Sequence, residues 1–383
     1  MSSPDQEKSV HPNRETPEEE HVGRRTWLTS AVSAMGLTAA GLIVPSLLPA
    51  AEQHHSDPTR VPGRIPSPYG TRAPGETAQR LTTATHSLTP HQVLHGIITP
   101  SALHFECHHN GVPTIDPDQH RLLIHGLVER PLTFSMNEMM RFPSVTRTLF
   151  IECSGNSGKE WSGPTGKTVQ ETHGLMSTSE WTGVPLAMVL AEAGIRSETA
   201  WVLAEGSDAA AMTRSLPLKD VIKDVLLCYA QNGERLRPEQ GHPLRLVIPG
   251  WEGNACIKWL RRLKLGTAPF MTREETSRYT DLMPDGTARQ FTFVMEAKSV
   301  ITSPSGGQRI EPGFVEIRGL AWSGRGKIAT VEVSTDGGGS WKPAQLQVPI
   351  LPMCHTRFRF GWWWKGDDVL LQSRCADETG YVQ

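Results

Sequence analysis

The sequence predicts a mixed α+β domain followed by an all-β sandwich. Three observations predict it. Residues 90–297 hold short apolar runs separated by loops, with one amphipathic helical stretch between them. From Lys298 the pattern changes to period-two alternation punctuated by glycine turns. The 383 residues include 35 Gly and 29 Pro at 38% hydrophobic content, the balance of a loop-rich globular chain and not of a coiled coil or a disordered one.

The elements follow in order. Residues 1–23 are polar and rich in Glu, Pro and Ser, as in a disordered leader. Arg24 and Arg25 then precede an apolar run, Ala31 to Ala51, that Ser33, Thr38, Gly36, Gly41, Pro45 and Pro49 dilute. A stable membrane span needs ~20 predominantly apolar residues. Paired arginines ahead of so diluted a run resemble a twin-arginine signal over 1–51, with an N-terminal membrane anchor as the alternative. Export by that route places the mature chain in the periplasm. Residues 52–89, rich in Pro, Ser, Thr and Arg, form an extended arm.

Strands are expected at Leu122–Leu127, at Thr148–Cys153 and at Leu244–Gly250, each a short apolar run bounded by turn residues. The stretch from Thr182 to Gly194 predicts a helix. Pro185 suits its first turn, Leu186, Val189, Leu190 and Ala193 make an apolar stripe, and Gly194 suits the position past its end. Phe314–Leu320, Ala329–Ser334 and Thr356–Phe360 alternate, and Asp336-Gly337-Gly338 supplies a hairpin turn. Short strands at this spacing indicate a sandwich over 298–383.

Lys and Arg total 38 against 40 for Asp and Glu, a balance that gives no footing for nucleic acid. The six cysteines include no Cys-x-x-Cys pair, which excludes a zinc knuckle, a thioredoxin-like centre and a c-type haem carried by this chain.

Four segments could carry chemistry. Cys153 ends an apolar strand and opens onto Ser154-Gly155-Asn156, which exposes a soft thiolate for a metal or for nucleophilic attack; a buried structural cysteine is the plainer reading. In Phe105-Glu106-Cys107-His108-His109 the two histidines cannot both face one site on a strand, so a single His contacting an anion or cofactor competes with a surface pair. The segment Trp251 to Arg262 combines Gly with Lys258, Arg261 and Arg262, a chemistry suited to phosphate, although a solvated basic helix end would have the same composition. Tyr279 could donate a hydrogen bond or relay a proton, or be a satisfied core tyrosine.

Together these segments resemble the sulfite oxidase family of molybdopterin oxidoreductases, nearest its sulfane dehydrogenase molybdenum subunits. The likeness runs from Leu94 to Gln383 and is carried by Leu94-His95-Gly96-Ile97-Ile98-Thr99-Pro100, Glu152-Cys153-Ser154-Gly155-Asn156, Trp251-Glu252-Gly253-Asn254, Lys258-Trp259-Leu260 and Arg273-Glu274-Glu275-Thr276-Ser277. It implies a molybdopterin-binding domain followed by an immunoglobulin-like dimerisation domain, and a homodimer. It implies a molybdenum-molybdopterin cofactor with Cys153 as the protein thiolate on the metal. By the same resemblance His109, Asp208 and Gln240 would contact the pterin, and Arg245 and Lys258 its phosphate with the amides of Cys256 and Ile257. Tyr279 would be the active-site tyrosine, and Arg359 a substrate-anion arginine from the β domain.

The implied reaction is oxidation of sulfane sulfur held on a sulfur-carrier protein, with electrons passed to a separate c-type cytochrome subunit. A free-sulfite dehydrogenase and a catalytically impaired binding subunit are the alternatives. Cys107 stands where the family carries an arginine that neutralises the substrate anion. Family members continue several dozen residues past the position of Gln383, which suggests a shortened β domain.

Overall fold

The structure, a computed structural model, describes residues 62, 63 and 65–383. The 1–51 signal segment and the start of the 52–89 arm lie outside the described residues. Residues 72–383 form one compact unit, whose regular structure begins in the arm itself with a small hairpin, Leu81–Thr82 and His86–Leu88. Strand Glu106–Cys107 completes its three-stranded sheet. Among the described residues no helix is long and apolar enough to cross a membrane.

Two five-stranded sheets build the first domain. In one, Glu234–Arg235, Leu226–Gln231, Met176–Pro185 and Val145–Glu152 lie side by side, with Arg245–Val247 also paired to Leu226–Gln231. In the other the order is Leu132–Ser135, Arg121–Gly126, Leu260–Gly266, Trp201–Gly206 and Thr213–Pro217. Only the pairing of Arg121–Gly126 with Leu260–Gly266 is parallel there, so the sheet is mixed. One core fills the space between them, with Trp181, Leu122, Ile124, Leu246 and Leu263 withdrawn from solvent.

The expected helix is shorter than its pattern. It spans Leu186–Ala193, buries Leu186, Val189, Leu190 and Ala193, and stops at Gly194 with φ +71°. Thr182–Pro185 instead completes a strand, because Val184 pairs with Leu227 and Gly183 lies against that strand's backbone, where a Cβ would stand 2.3 Å from the Leu227 oxygen. Sheet hydrogen bonds outweigh the helical start signal of Pro185.

The second domain is a two-layer β-sandwich. One layer orders Lys298–Ser303, Gly313–Trp322, Thr356–Trp364 and Gln345–Leu346; the other Lys342–Pro343, Ile328–Ser334 and Gln372–Asp377. Alternation sends Ile317, Val331, Val333 and Phe358 into its core. A third apolar cluster, with Phe150 and Met176 from the first domain and Val300, Leu320 and Trp322 from the second, seals the seam. At that seam Gly250, at φ +74°, passes so close to Gly324 that a Cβ would lie 2.2 Å from its oxygen.

Candidate active site

Strand ends from the three-stranded sheet and from both five-stranded sheets converge on one cavity. Cys153 enters it where the chain leaves Val145–Glu152. The turn is tied down by Cys153 N donating to Leu175 O at 2.9 Å and Asn156 N donating to Cys153 O at 2.9 Å. Glu152, wholly buried, anchors the turn from behind. Its carboxylate accepts from Asn156 Nδ2 at 2.9 Å, Lys298 Nζ at 3.0 Å and Trp322 Nε1 at 2.7 Å, so it joins the thiol turn to the β domain.

Cys107 meets Cys153 from the far side, at the end of Glu106–Cys107. The neighbouring Cys153 thiol pulls Cys107 below the usual thiol range, with Lys258 assisting against burial. The Cys107 thiol, with burial, pushes Cys153 up.

Both adjacent histidines line the cavity, contrary to the expectation from strand alternation. The strand stops at Cys107, and His108 and His109 lie in irregular chain where alternation no longer applies. His108 accepts from Lys258 Nζ at Nδ1 (2.7 Å) and thereby donates from Nε2 to Glu106 Oε2 (2.6 Å). That bond, and then Arg80, hold the Glu106 carboxyl down to about 2. His109 Nε2 stands 3.4 Å from the Tyr279 hydroxyl. Burial lowers the His109 ring and raises the Tyr279 phenol.

Two cations face the cavity. Lys258 Nζ donates to Cys107 O at 3.0 Å and Glu239 O at 3.3 Å, and burial lowers it to about 7. Arg245 donates to Gln240 O at 3.0 Å and Cys256 O at 3.4 Å and lies 4.7 Å over the Trp181 ring, with its Nε unpartnered. Among the described residues neither cation forms an ion pair with a carboxylate. Positive charge unpaired with carboxylates, in a cavity beside a thiol, fits a phosphate-bearing, soft-metal group such as molybdenum-molybdopterin.

Gln240 and Asp208 support this wall. Gln240 donates from Nε2 to Phe105 O at 2.8 Å, and the buried Asp208 accepts from Met212 N at 3.0 Å. Cys256 and Ile257 also line the cavity, but their amides are already bonded to Gly253 O and Ala255 O, each at 3.1 Å, so the expected amide donors are engaged inside the turn. The basic segment is no helix end either. It makes a single turn at Gly253–Ala255 and enters strand Leu260–Gly266, where Arg261 and Arg262 pair with Glu205.

Nine of the ten expected site residues line this cavity; Arg359 does not. Its strand sends Phe358 into the core and Arg359 to solvent, where Nε donates to Gln345 Oε1 at 2.9 Å. Four residues of the site escaped the sequence reading: His108, Asn254, Trp259 and Arg214. Asn254 donates to Glu252 Oε2 at 2.7 Å, and Trp259 lines the cavity with φ +52°. Arg214 lies outside the lining, wholly buried, bonded to Glu275 at 2.8 Å and 4.8 Å from the Tyr279 ring. His108, Asn254 and Trp259 stand inside the segments singled out in the sequence, whereas Arg214 has no local signal.

Residues 109–274 match the model of the oxidoreductase molybdopterin binding domain, and residues 289–376 that of the Mo-co oxidoreductase dimerisation domain. The chain is 32% identical over 345 residues to sulfite oxidase of Gallus gallus, covering 82% of this chain and 71% of that one. Against mitochondrial sulfite oxidase of Rattus norvegicus identity is 32% over 78% of this chain and 56% of the relative, so the chain spans about half the length of the first curated relatives it matches. The structure of the sulfane dehydrogenase SoxCD from Paracoccus pantotrophus aligns with a TM-score of 0.82 and 46% identity, over 85% of this chain and 87% of that one. The chain therefore belongs to the sulfite oxidase family of molybdopterin-binding oxidoreductases.

Proposed function

We propose that the protein is the molybdenum subunit of a periplasmic sulfane dehydrogenase. It would oxidise sulfane sulfur attached to a carrier protein and pass electrons to a separate c-type cytochrome. The 46% identity with the SoxCD structure over 85% of the chain carries this reading. The chain's paired arginines favour export, and its lack of a Cys-x-x-Cys-His motif requires the haem to come from a partner.

When bound, the molybdenum-molybdopterin supplies two-electron oxidation, each oxygen added from water releasing two protons and two electrons. The chain does the rest. Cys153 holds the metal through its thiolate, and Glu152 fixes the turn that aims it. Arg245 and Lys258 hold the phosphate, while His109, Asp208 and Gln240 border the pterin. Tyr279 and His109 are in contact at 3.4 Å, and burial favours the protonated phenol and the neutral imidazole, so the pair can present a hydrogen-bond donor to the reacting atoms.

Substrate charge favours a carrier. Cys107 brings no cation and Arg359 faces solvent, so a small free dianion finds little to neutralise it. A carrier can supply binding contacts far from the reacting atoms.

The test is cytochrome reduction by molybdenum-replete protein offered carrier persulfide or free sulfite. Turnover of the carrier species, with sulfite a poor substrate, is expected. No cytochrome reduction with the carrier species would overturn the reading, and efficient turnover of sulfite alone would make the protein a free-sulfite dehydrogenase. Cys107→Arg should lower KM for sulfite.

A further inference from the structure

We propose that Cys107 and Cys153 form a reversible disulfide in the cofactor-free protein, one that withdraws the thiol the metal needs. The proposal rests on the reading of Cys153 as the metal's ligand.

Both thiols line the same cavity, free of any disulfide, and each is the other's neighbour. They arrive on separate supports. Cys107 is fixed by antiparallel pairing with His86, and its carbonyl accepts from Lys258 Nζ at 3.0 Å. Cys153 is fixed through its N–H to Leu175 O and its carbonyl from Asn156 N, each at 2.9 Å. With both backbones held, the two thiol side chains stay at the same cavity. Cys256, the third cysteine at this cavity, is otherwise engaged, its Sγ 3.3 Å from Ile248 N and 3.7 Å from Ile248 O.

The chemistry is thiol–disulfide exchange with a low-molecular-weight disulfide such as oxidised glutathione. Cys107 attacks one sulfur of the oxidant and expels one thiol. Cys153 then attacks the mixed disulfide and expels the second. The two cysteine sulfurs are oxidised, the reagent is reduced to two thiols, and the cysteine protons leave with them. Sulfur bonded to sulfur no longer offers the thiolate that ligates a metal. Metal and disulfide therefore compete for Cys153, so cofactor must enter while the protein is reduced and afterwards shields the pair.

Full-length protein from a host unable to make molybdopterin is incubated with oxidised glutathione and mapped by non-reducing peptide mass spectrometry. The expected result is loss of two hydrogen atoms and one peptide pair joined through positions 107 and 153. Protein already carrying molybdenum should lack the joined pair, and dithiothreitol should restore molybdopterin uptake by the oxidised protein. Cys107→Ser should abolish the link while circular dichroism shows the fold retained. Separate glutathione adducts with no joined peptide would overturn the proposal, as would equal yield of the link in molybdenum-loaded protein. Molybdenum content of Cys153→Ser separates the two readings. A joined pair in the parent protein with metal retained in that variant refutes the ligand role alone; no joined pair with metal lost refutes the disulfide alone.

Discussion

Lys258 shows at residue scale what the cavity is built to hold. An ammonium lowered to about 7 by burial is costly to the folded protein, and its three hydrogen-bond partners are uncharged. An incoming phosphate would offset that cost by pulling a proton back onto Nζ. Binding then takes up a proton at pH values above about 7, so cofactor affinity should fall as pH rises from there, by up to about tenfold per pH unit. Cofactor retention measured by molybdopterin content across pH 6.5–9 checks the sign; retention that improves with pH would refute it. Lys258→Met should weaken cofactor binding by about 2–3 kcal/mol, the scale of a charged hydrogen bond, yet raise the melting temperature of the cofactor-free protein. A merely structural lysine would lower both. Cys153→Ser should lose the metal with little change in melting temperature, since the hydrogen bonds that hold its turn run through backbone and through Glu152 and Asn156.

At the scale of elements, the site depends on how turns are clamped to strands. The Glu152 carboxylate receives donors from its own turn and from two strands of the β domain, so Glu152→Gln should cost about 2–3 kcal/mol in urea unfolding by removing the charge that Lys298 answers. Lys298→Met should lose part of the same energy, and additive losses in the double variant would show the pair uncoupled. Local pattern made much of this framework legible. The apolar run into Cys153, the stripe Leu186, Val189, Leu190 and Ala193, and the alternation of Phe314–Leu320 all depend on neighbours in sequence, and all lie within elements of the expected type. What stayed illegible depends on distant chain. Thr182–Pro185 is a strand because Leu226–Gln231 pairs with it, some forty residues further along. His108 faces the cavity because a two-residue strand ends one position earlier. Arg214 reaches Tyr279 through a sheet and a π-helical turn that no local period announces. The resemblance assigned most of the cavity; Arg359 lies outside that lining, its outward orientation following from strand alternation about Phe358.

For the whole molecule, buried histidines shape the response to acid, among them His104 at the cavity and a group at the seam between domains. His91 and His173 from the first domain and His355 from the second are buried there, the rings of His91 and His355 being 5.8 Å apart. Burial holds His91 near 3 and His173 near 4, and drives His355 well below its usual value. The charges facing them also disfavour protonation: Arg357 toward His91 and His355, and Lys298 toward His173. Glu160 is the nearest counter-charge, 3.9 Å from His173. In the unfolded chain these rings protonate near pH 6.5, whereas in the folded protein they stay neutral to much lower pH. Their contribution is thus intact above pH 6.5 and is lost as pH falls below it, at an upper limit of about 1.4 kcal/mol per pH unit for each ring. Depressed carboxylates such as Glu106, held to about 2, begin to matter only below about pH 4.5. Between pH 6.5 and 4.5 the lowered histidines act against Glu160 and Glu252, whose carboxyls burial raises. Unfolding free energy from urea titrations should decline steadily through this interval, and His355→Phe, which keeps a ring beside Trp322 while removing one titrating group, should make the decline shallower. An equally steep decline in His355→Phe and the parent would show that acid does not act at this seam histidine.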